Sequence, residues 1–195
     1  MARIKEFDEV QVLEKAMHLF WNHGYDGTSL QMLEKEMGLV RTSIYNTYGN
    51  KRKLFNQVIT HYEETVITQL MISVERESDI RKSMEKMLNG EINLHFNKNN
   101  PGGCLIVLSV LEKAQHGDES TKLLESIVKK MEKFLLQKLT DAQDEGQISK
   151  TIDVKSVALT IATTVVGIPV MGKAGFSKAS LQKTVAATVS LLDVA

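Results

Sequence analysis

The chain has 195 residues, the length of one large domain or two small ones. It carries 24 Lys and Arg against 24 Asp and Glu, so any affinity for nucleic acid must come from a local patch and not from net charge. Hydrophobic residues make up 43% of the chain, which is enough for a core and excludes intrinsic disorder. A single cysteine, Cys104, cannot form an intramolecular disulfide, and this favours a reducing, cytoplasmic setting.

Apolar residues recur at helical spacing along nearly the whole chain, and only 2 prolines interrupt it. The pattern predicts an all-α fold of about nine helices. We expect three short helices in a head over residues 1–50 and a larger helical body over residues 51–195. The predicted helices span residues 7–23, 28–37, 41–48, 51–73, 79–96, 104–115, 119–145, 153–172 and 177–193.

The longest uncharged stretch runs from Ser156 to Gly172. Its 17 residues are at the short limit for a membrane span, and they include four hydroxyl side chains and a proline. We therefore expect a helix buried at a protein interface and no membrane partner. The first ten residues carry mixed charges and no apolar core, so no secretory signal is expected.

Four of the predicted helix starts carry capping signals, and for the last two predicted helices the expected caps are Asp153 and Ser177. Asp8 is expected to cap the first helix, with Phe7 packing against Val12 across the cap. Thr28 is expected to cap the second helix, with Gln31 as its capping-box partner three residues later.

The second and third helices, joined by a short turn that contains Gly38, form a helix-turn-helix. In this motif the second of the two helices lies in the major groove of DNA, so its outer face needs hydrogen-bonding and stacking side chains. The segment RTSIYNTY offers such a face and leaves Ile44 for the core. We expect Arg41, Thr42, Ser43, Tyr45 and Asn46 to read bases or position the helix, and Thr28, Tyr48 and Lys51 to hold phosphates.

Charge alone does not decide whether this head binds DNA. Residues 1–60 carry eight Lys and Arg against seven Asp and Glu, but every charged residue from Arg41 to Lys53 is basic. Two short helices joined by a glycine turn also occur in proteins that do not bind DNA. The alternative is therefore a helical binding protein or an enzyme-like bundle that uses the head for protein contacts.

Two runs, FWNHGYDGTSL (20–30) and GLVRTSIYNTYGNK (38–51), followed by Leu54 and Phe55, resemble the DNA-binding domain of TetR-family repressors. This match covers about the first quarter of the chain. Thr42 stands where the family commonly has Gly, and Thr47 where it commonly has His, so base preference does not carry over from relatives. The remaining three quarters resemble the family in outline, as a helical ligand-binding and dimerisation domain.

The resemblance implies a transcriptional regulator that represses by binding a palindromic operator as a homodimer and responds to a small-molecule effector. The two recognition helices of such a dimer lie about 34–36 Å apart. The last two predicted helices look like the dimerisation pair, because small residues there permit close approach of the backbones. The expected dimerisation residues are Ala158, Ala162, Val165, Gly167, Leu181, Val185 and Val189.

The middle helices offer a mostly apolar lining for an effector, although burial in the core is the commoner fate of such side chains. The candidates are Phe96, Cys104, Leu108, Ser109, Glu112, Met131 and Phe134. Cys104 follows Pro-Gly-Gly at a helix start, where the helix N-terminus lowers a thiol pKa, and a subset of the family with a similar segment includes sensors of electrophiles or oxidants. The other interpretation of Cys104 is a small buried hydrophobe.

Metal and catalytic sites have weak support in the sequence. Glu91 and His95 lie one helical turn apart, but a zinc site needs three or four ligands. The other histidines are scattered without a nucleophile and base, and neither a phosphate loop nor a dinucleotide fingerprint is present. We expect no metal, no cofactor and no catalytic site.

Overall fold

The structure is a computed structural model that describes residues 8–193, apart from the side chain of Lys113. Every regular element in that range is helical, as the sequence predicts. The helices are α1 (Glu9–Gly27), α2 (Leu30–Met37), α3 (Arg41–Tyr48), α4 (Lys51–Tyr62), α5 (Thr68–Glu75), α6 (Ile80–Phe96), α7 (Leu105–Leu111), α8 (Lys113–His116), α9 (Asp118–Asp144), α10 (Val154–Lys173) and α11 (Lys178–Val189), followed by a 3-10 turn (Ser190–Asp193).

Helices α4 and α5 form one continuous rod, because a π-helical segment, Glu63–Ile67, joins them without a break. Counted this way, residues 8–193 hold ten helices where the sequence predicted about nine. The additional one is α8. The helix predicted over residues 104–115 breaks at Glu112, whose backbone (φ −98°, ψ 15°) leaves the helical region.

The predicted cap of α1 is confirmed and that of α2 is wrong. Asp8 accepts hydrogen bonds from the backbone N–H groups of Val10 and Gln11; its predicted companion Phe7 lies outside the described residues. Ser29, and not Thr28, caps α2, since its hydroxyl accepts the Met32 N–H at 3.2 Å. Thr28 is fully buried and donates its hydroxyl to the carbonyl oxygen of Gly24 at 2.7 Å.

Two hydrophobic clusters form the core. The first joins the three helices of the head to α4, α7 and the first half of α9. The second lies in the body and joins α5, α6, the second half of α9, α10 and α11. Helix α4 therefore completes the core of the head, where Leu54 and Phe55 are buried, and also leads into the body.

Helices α10 and α11 pack against α6, and α10 also packs against α9. Six of the seven expected dimerisation residues face inward and are buried in their own chain: Ala158, Ala162, Val165, Leu181, Val185 and Val189. In the single chain these small and branched side chains at helical spacing fill the core, and their contact with a second copy stays a prediction. Gly167 and Leu181 line an outer groove between α10 and α11.

Among the described residues, α10 is long and apolar enough to cross a membrane by length and composition. A third of its most apolar stretch is buried inside the chain. Its packing against α6, α9 and α11 is that of a helix in a folded domain.

Helix α10 approaches α6 closely at Gly172. A Cβ atom there would lie 2.6 Å from the ring of His95, which is held in place by accepting the Gly103 N–H at 2.7 Å. Gly172→Ala is expected to lower the free energy of unfolding by about 1–3 kcal/mol through overpacking, measured by urea denaturation. The control is Gly27→Ala, whose added Cβ would meet its nearest neighbour at 3.6 Å. Equal stabilities for the two variants would contradict this packing.

Candidate nucleic-acid interface and internal cavity

Helix α3 starts without a side-chain cap of its own, because its N-cap residue is Val40. The carboxylate of Glu34, on α2, takes that role and accepts the Arg41 N–H at 2.7 Å. The αL backbone of Gly38 (φ 69°, ψ 26°) ends α2 and turns the chain into α3. The two helices are thus fixed to each other by a glycine turn and one charge-assisted hydrogen bond.

The outer face of α3 is polar and open to solvent. Arg41, Thr42, Tyr45 and Asn46 are exposed, while Ser43 is half-buried. The Arg41 guanidinium lies 5.8 Å from the centre of the Tyr45 ring, which holds these two long side chains on one face. The sequence prediction for these five residues therefore agrees with their position, and their contacts with DNA stay a prediction.

Thr28 and Tyr48 do not present phosphate ligands in this structure. The hydroxyl of Thr28 already donates its hydrogen to the backbone carbonyl oxygen of Gly24. The ring of Tyr48 is buried, its hydroxyl donates to the Glu9 carbonyl oxygen at 3.4 Å, and burial raises the pKa of Tyr48 to about 12. The helical period that places Ile44 in the core also places Tyr48 there, one turn later.

Basic side chains cluster at the start of α4, immediately after α3. The Lys51 ammonium lies 4.5 Å from the centre of the Tyr25 ring, and Arg52 and Lys53 are exposed. Burial lowers the pKa of Lys51, and the nearby carboxylate of Asp26 raises it. This basic cluster and the outer face of α3 together form a surface that suits a nucleic acid duplex, with basic side chains for the phosphates and polar side chains for the base edges.

The head is joined to the body by a polar contact and an aromatic cluster. The Glu112 carboxylate accepts the Tyr25 N–H at 3.1 Å. The buried His116 ring stacks on Phe55 at 4.8 Å and meets the Tyr25 ring edge-on at 5.2 Å. His116 also donates from Nε2 to the carbonyl oxygen of Ser109 at 2.8 Å.

Glu112 and Ser109, two predicted effector contacts, are thus part of this junction. The sequence did not single out His116 or Tyr25 for this role, because the junction brings together positions far apart in the chain. No local pattern carries that information.

A small cavity of about 20 Å³, with room for about one water molecule, lies in the body where α6, α7, α9 and α10 meet the π segment. We call it the Glu91 cavity. Its lining includes Ile67, Glu91, Cys104, Ile127, Met131 and Val165, with further aliphatic side chains from α7, α9 and α10.

Glu91 is the charged residue of this lining. Its side chain is 2% exposed, and its Oε2 atom has no hydrogen-bond partner. Burial raises the pKa of Glu91 from 4.5 to about 7. In the sequence, Glu91 pairs with His95 one helical turn later, but the His95 ring turns away and accepts the Gly103 N–H. Among residues 8–193 no group of three or more His, Cys, Asp or Glu side chains could hold a metal ion.

Cys104 lies at the N-cap of α7 and is 2% exposed. The Tyr62 hydroxyl donates to its Sγ atom at 3.5 Å. Burial, and to a lesser degree the Glu91 carboxylate, raise the pKa of Cys104 to about 12. The expectation of a lowered thiol pKa is wrong for this conformation, because desolvation outweighs the helix N-terminus.

The expected effector residues do not come together in one site. Cys104 and Met131 line the Glu91 cavity, and Phe134 lines an open groove between α5 and α9. Phe96 is 38% exposed at the end of α6, and Leu108 packs beside Gly103.

Comparison with known proteins identifies the family. The family model for bacterial regulatory proteins of the tetR family matches residues 12–58, and that for the tetracyclin repressor-like C-terminal domain matches residues 79–188. The chain belongs to the TetR family. It is therefore a DNA-binding transcriptional regulator, and α3 is the recognition helix of its helix-turn-helix.

Relatives of this TetR-family regulator match it over nearly its full length. It is 29% identical to the HTH-type transcriptional regulator YezE of Bacillus subtilis over 99% of this chain and 100% of YezE. It is 26% identical to the HTH-type transcriptional repressor ComR of Escherichia coli over 97% of this chain and 90% of ComR.

The fold is that of solved family members. A cysteine mutant of the TetR family regulator CifR, in complex with 26-base-pair operator DNA, matches with a TM-score of 0.89 at 23% identity, over 96% of this chain and 98% of that chain. FadR of Bacillus subtilis, in complex with stearoyl-CoA, matches with a TM-score of 0.74 at 19% identity, over 95% of this chain and 98% of that chain.

Stability of this TetR-family regulator is expected to depend on pH through Glu91. Because the folded-state pKa of about 7 lies above the ordinary 4.5, the folded state binds more protons between these values, and stability falls as pH rises through that window. Glu91→Gln removes this effect. The free energy of unfolding of Glu91→Gln relative to the unmodified protein is expected to rise by about 2–3 kcal/mol from pH 5 to pH 8, measured by urea denaturation at equal protein concentration. A difference that does not change with pH would show that Glu91 titrates normally.

Proposed function

We propose that this regulator is a cytoplasmic repressor that binds a palindromic operator as a homodimer and releases it when a small molecule binds in its body. The observation that carries the proposal is the unbroken surface formed by the exposed face of α3 and the basic start of α4. The repressor ComR among the relatives supports the direction of regulation, and the operator complex of CifR supports the mode of binding.

Base reading is assigned to the exposed residues of α3. Arg41 carries the donors that suit a guanine edge, and the Asn46 amide suits the edge of adenine. Tyr45 and Thr42 lie beside them on the same face. Lys51 is assigned to a phosphate, because its ammonium is held over Tyr25 at the border of that face.

Dimerisation is assigned to the outer faces of α10 and α11, where large apolar side chains are exposed among hydroxyl and charged ones. Leu159 is 60% exposed, and Met171 and Phe176 are also exposed. Thr163, Gly167 and Phe176 border a groove of about 310 Å³ between the two helices. An apolar surface of this extent is a liability in a monomer, and a second copy of the chain would cover it.

Regulation is assigned to the two elements that run from the Glu91 cavity to the head. Helix α4 begins at Lys51, beside the DNA-reading face, and ends at Tyr62, which contacts Cys104. Helix α7 starts at Cys104 and is followed by Glu112, which binds the backbone of Tyr25. An effector that favours a different arrangement of these elements would weaken DNA binding, with a coupling of typically about 1–3 kcal/mol.

Asn46→Ala and Lys51→Ala are expected to weaken DNA binding in different ways. The loss of Asn46 should relax preference at one base pair by about 1–3 kcal/mol, whereas the loss of Lys51 should weaken binding equally on all sequences and lower the salt slope by about one. Fluorescence anisotropy on selected operator fragments over a salt series measures both. Lys150→Ala, an exposed lysine remote from the head, is the control and should leave the slope unchanged. Uniform loss of affinity in both head variants would overturn the division between reading and anchoring residues.

Leu159→Glu is expected to convert the dimer to a monomer in sedimentation velocity at micromolar concentration, because the charge would be buried in the interface. The fold should persist, since this side chain is 60% exposed in the single chain. Leu111→Glu is the matched control, because Leu111 is 67% exposed on α7, away from the proposed interface. A monomeric mass for the unmodified protein would contradict the proposed dimer.

A further inference from the structure

The Glu91 cavity contains a buried carboxyl oxygen without a hydrogen-bond partner. An unpartnered buried polar group is costly, by about 1–3 kcal/mol for neutral groups and more for charged ones. In a folded protein such a group calls for an explanation, and one that faces a cavity is placed to bind something that enters it.

The surroundings of Glu91 supply no positive charge. The titratable groups near it are the Cys104 thiol and the Tyr62 hydroxyl, and both are acids. The lining contributed by α9 and α10 is aliphatic or thioether throughout. The site therefore combines one acidic anchor with an apolar wall, and it lacks the cation that would balance the anchor.

The cavity has a direction in which it can expand. An open groove of about 390 Å³ lies between α5 and α9, and its lining adjoins that of the Glu91 cavity along both elements. Thr68 and Lys130 line the groove, and their chain neighbours Ile67 and Met131 line the cavity. The two spaces therefore lie side by side where the π segment meets α5. A ligand larger than a water molecule requires a shift of this segment that joins them into a pocket of ligand size.

We propose that the effector is an apolar organic cation, a protonated amine with an aliphatic or aromatic substituent, which places its ammonium group on Glu91 and its substituent among Ile67, Met131 and Val165. This inference rests on the proposed function, because it names the ligand class of the same body domain. The amine supplies both the hydrogen-bond donor and the positive charge that the site lacks, and a charge-assisted hydrogen bond is among the strong ones. A neutral ligand would supply the hydrogen-bond donor but not the positive charge.

Binding of such a cation shifts Glu91 to its ionised form and releases its proton to solvent. Near pH 6.5 the carboxyl is largely protonated before binding, so up to one proton should leave per ammonium bound. Cys104 and Tyr62, the other titratable groups that face Glu91, remain protonated because the pKa of each is raised.

The test uses hexylammonium chloride as the probe and 1-hexanol and hexanamide as neutral probes of similar length. Isothermal titration calorimetry of the full-length protein at pH 6.5, in two buffers of different ionisation enthalpy, gives affinity and proton release. Hexylammonium should bind at least tenfold more tightly than 1-hexanol, with proton release.

Glu91→Gln keeps the shape of the side chain and should lose that tenfold preference and the proton release. Glu91→Leu, which fills the site with apolar atoms, should lose them too while remaining folded. Glu85→Gln, an exposed carboxylate on the same helix, is the matched control and should behave as the unmodified protein. Equal binding of the charged and neutral probes, tighter binding of hexanamide, or no binding of hexylammonium would each overturn the proposal.

Operator binding is measured separately by anisotropy, with and without the probe. Release of operator by hexylammonium in the unmodified protein but not in Glu91→Gln would support both proposals. Calorimetric binding without any effect on operator affinity would retain the cation site and reject its regulatory role. Failure to bind any operator, with calorimetry unchanged, would reject the proposed repressor and leave the cation site standing.

Discussion

The structure depends on α4 packing along its whole length into one core that the head shares with α7 and the first half of α9. Leu54 and Phe55 complete the core of the head, and Tyr62, at the other end of the same helix, is buried against Cys104 in the body. A helix packed at both ends cannot shift in one domain without a response in the other, because close-packed interiors do not deform gradually. A displacement of α4 in the body should therefore also displace the DNA-reading face of the head.

The junction around Tyr25 adds a second, electrostatic connection. Glu112 binds the backbone of the head, and His116 fills the space between Tyr25 and Phe55. The pairing of one carboxylate with one backbone N–H contributes little free energy by itself. Its importance is geometric, since it fixes the end of α7 to the kink at the end of α1.

The sequence predicted most of the fold, because helical periodicity and caps are local signals. The limits of α3 and the capping roles of Asp8, Asp153 and Ser177 agree with the structure. The errors concern the direction in which a side chain points. Thr28 does not cap α2, because α1 is kinked at Gly24 (φ 71°, ψ 178°) and the Thr28 hydroxyl donates to the Gly24 carbonyl oxygen instead.

Of the candidate sites, the DNA-reading face was predicted and the Glu91 cavity was not, because only the first is formed by residues close together in the sequence. The outer face of α3 was found because its polar residues surround Ile44, the position left for the core, in a single short helix; the burial of Tyr48 was not predicted. The Glu91 cavity was not found, since four helices and the π segment contribute to it and a lone glutamate on an apolar face has no local signature. For α10, small residues fit a tight core as well as a tight interface, so sequence alone could not say which face pointed outward.

The π segment between α4 and α5 has a consequence for how such a protein changes over evolutionary time. A π turn accommodates one residue more than an α turn, and one residue corresponds to about 100° of rotation around a helix axis. Because the π turn already absorbs the additional residue, deleting a single position within Glu63–Ile67 would restore a uniform α-helix and keep the two halves of the rod in their present rotation. At this one place the chain can change its length by a residue without turning the sensor half relative to the operator half.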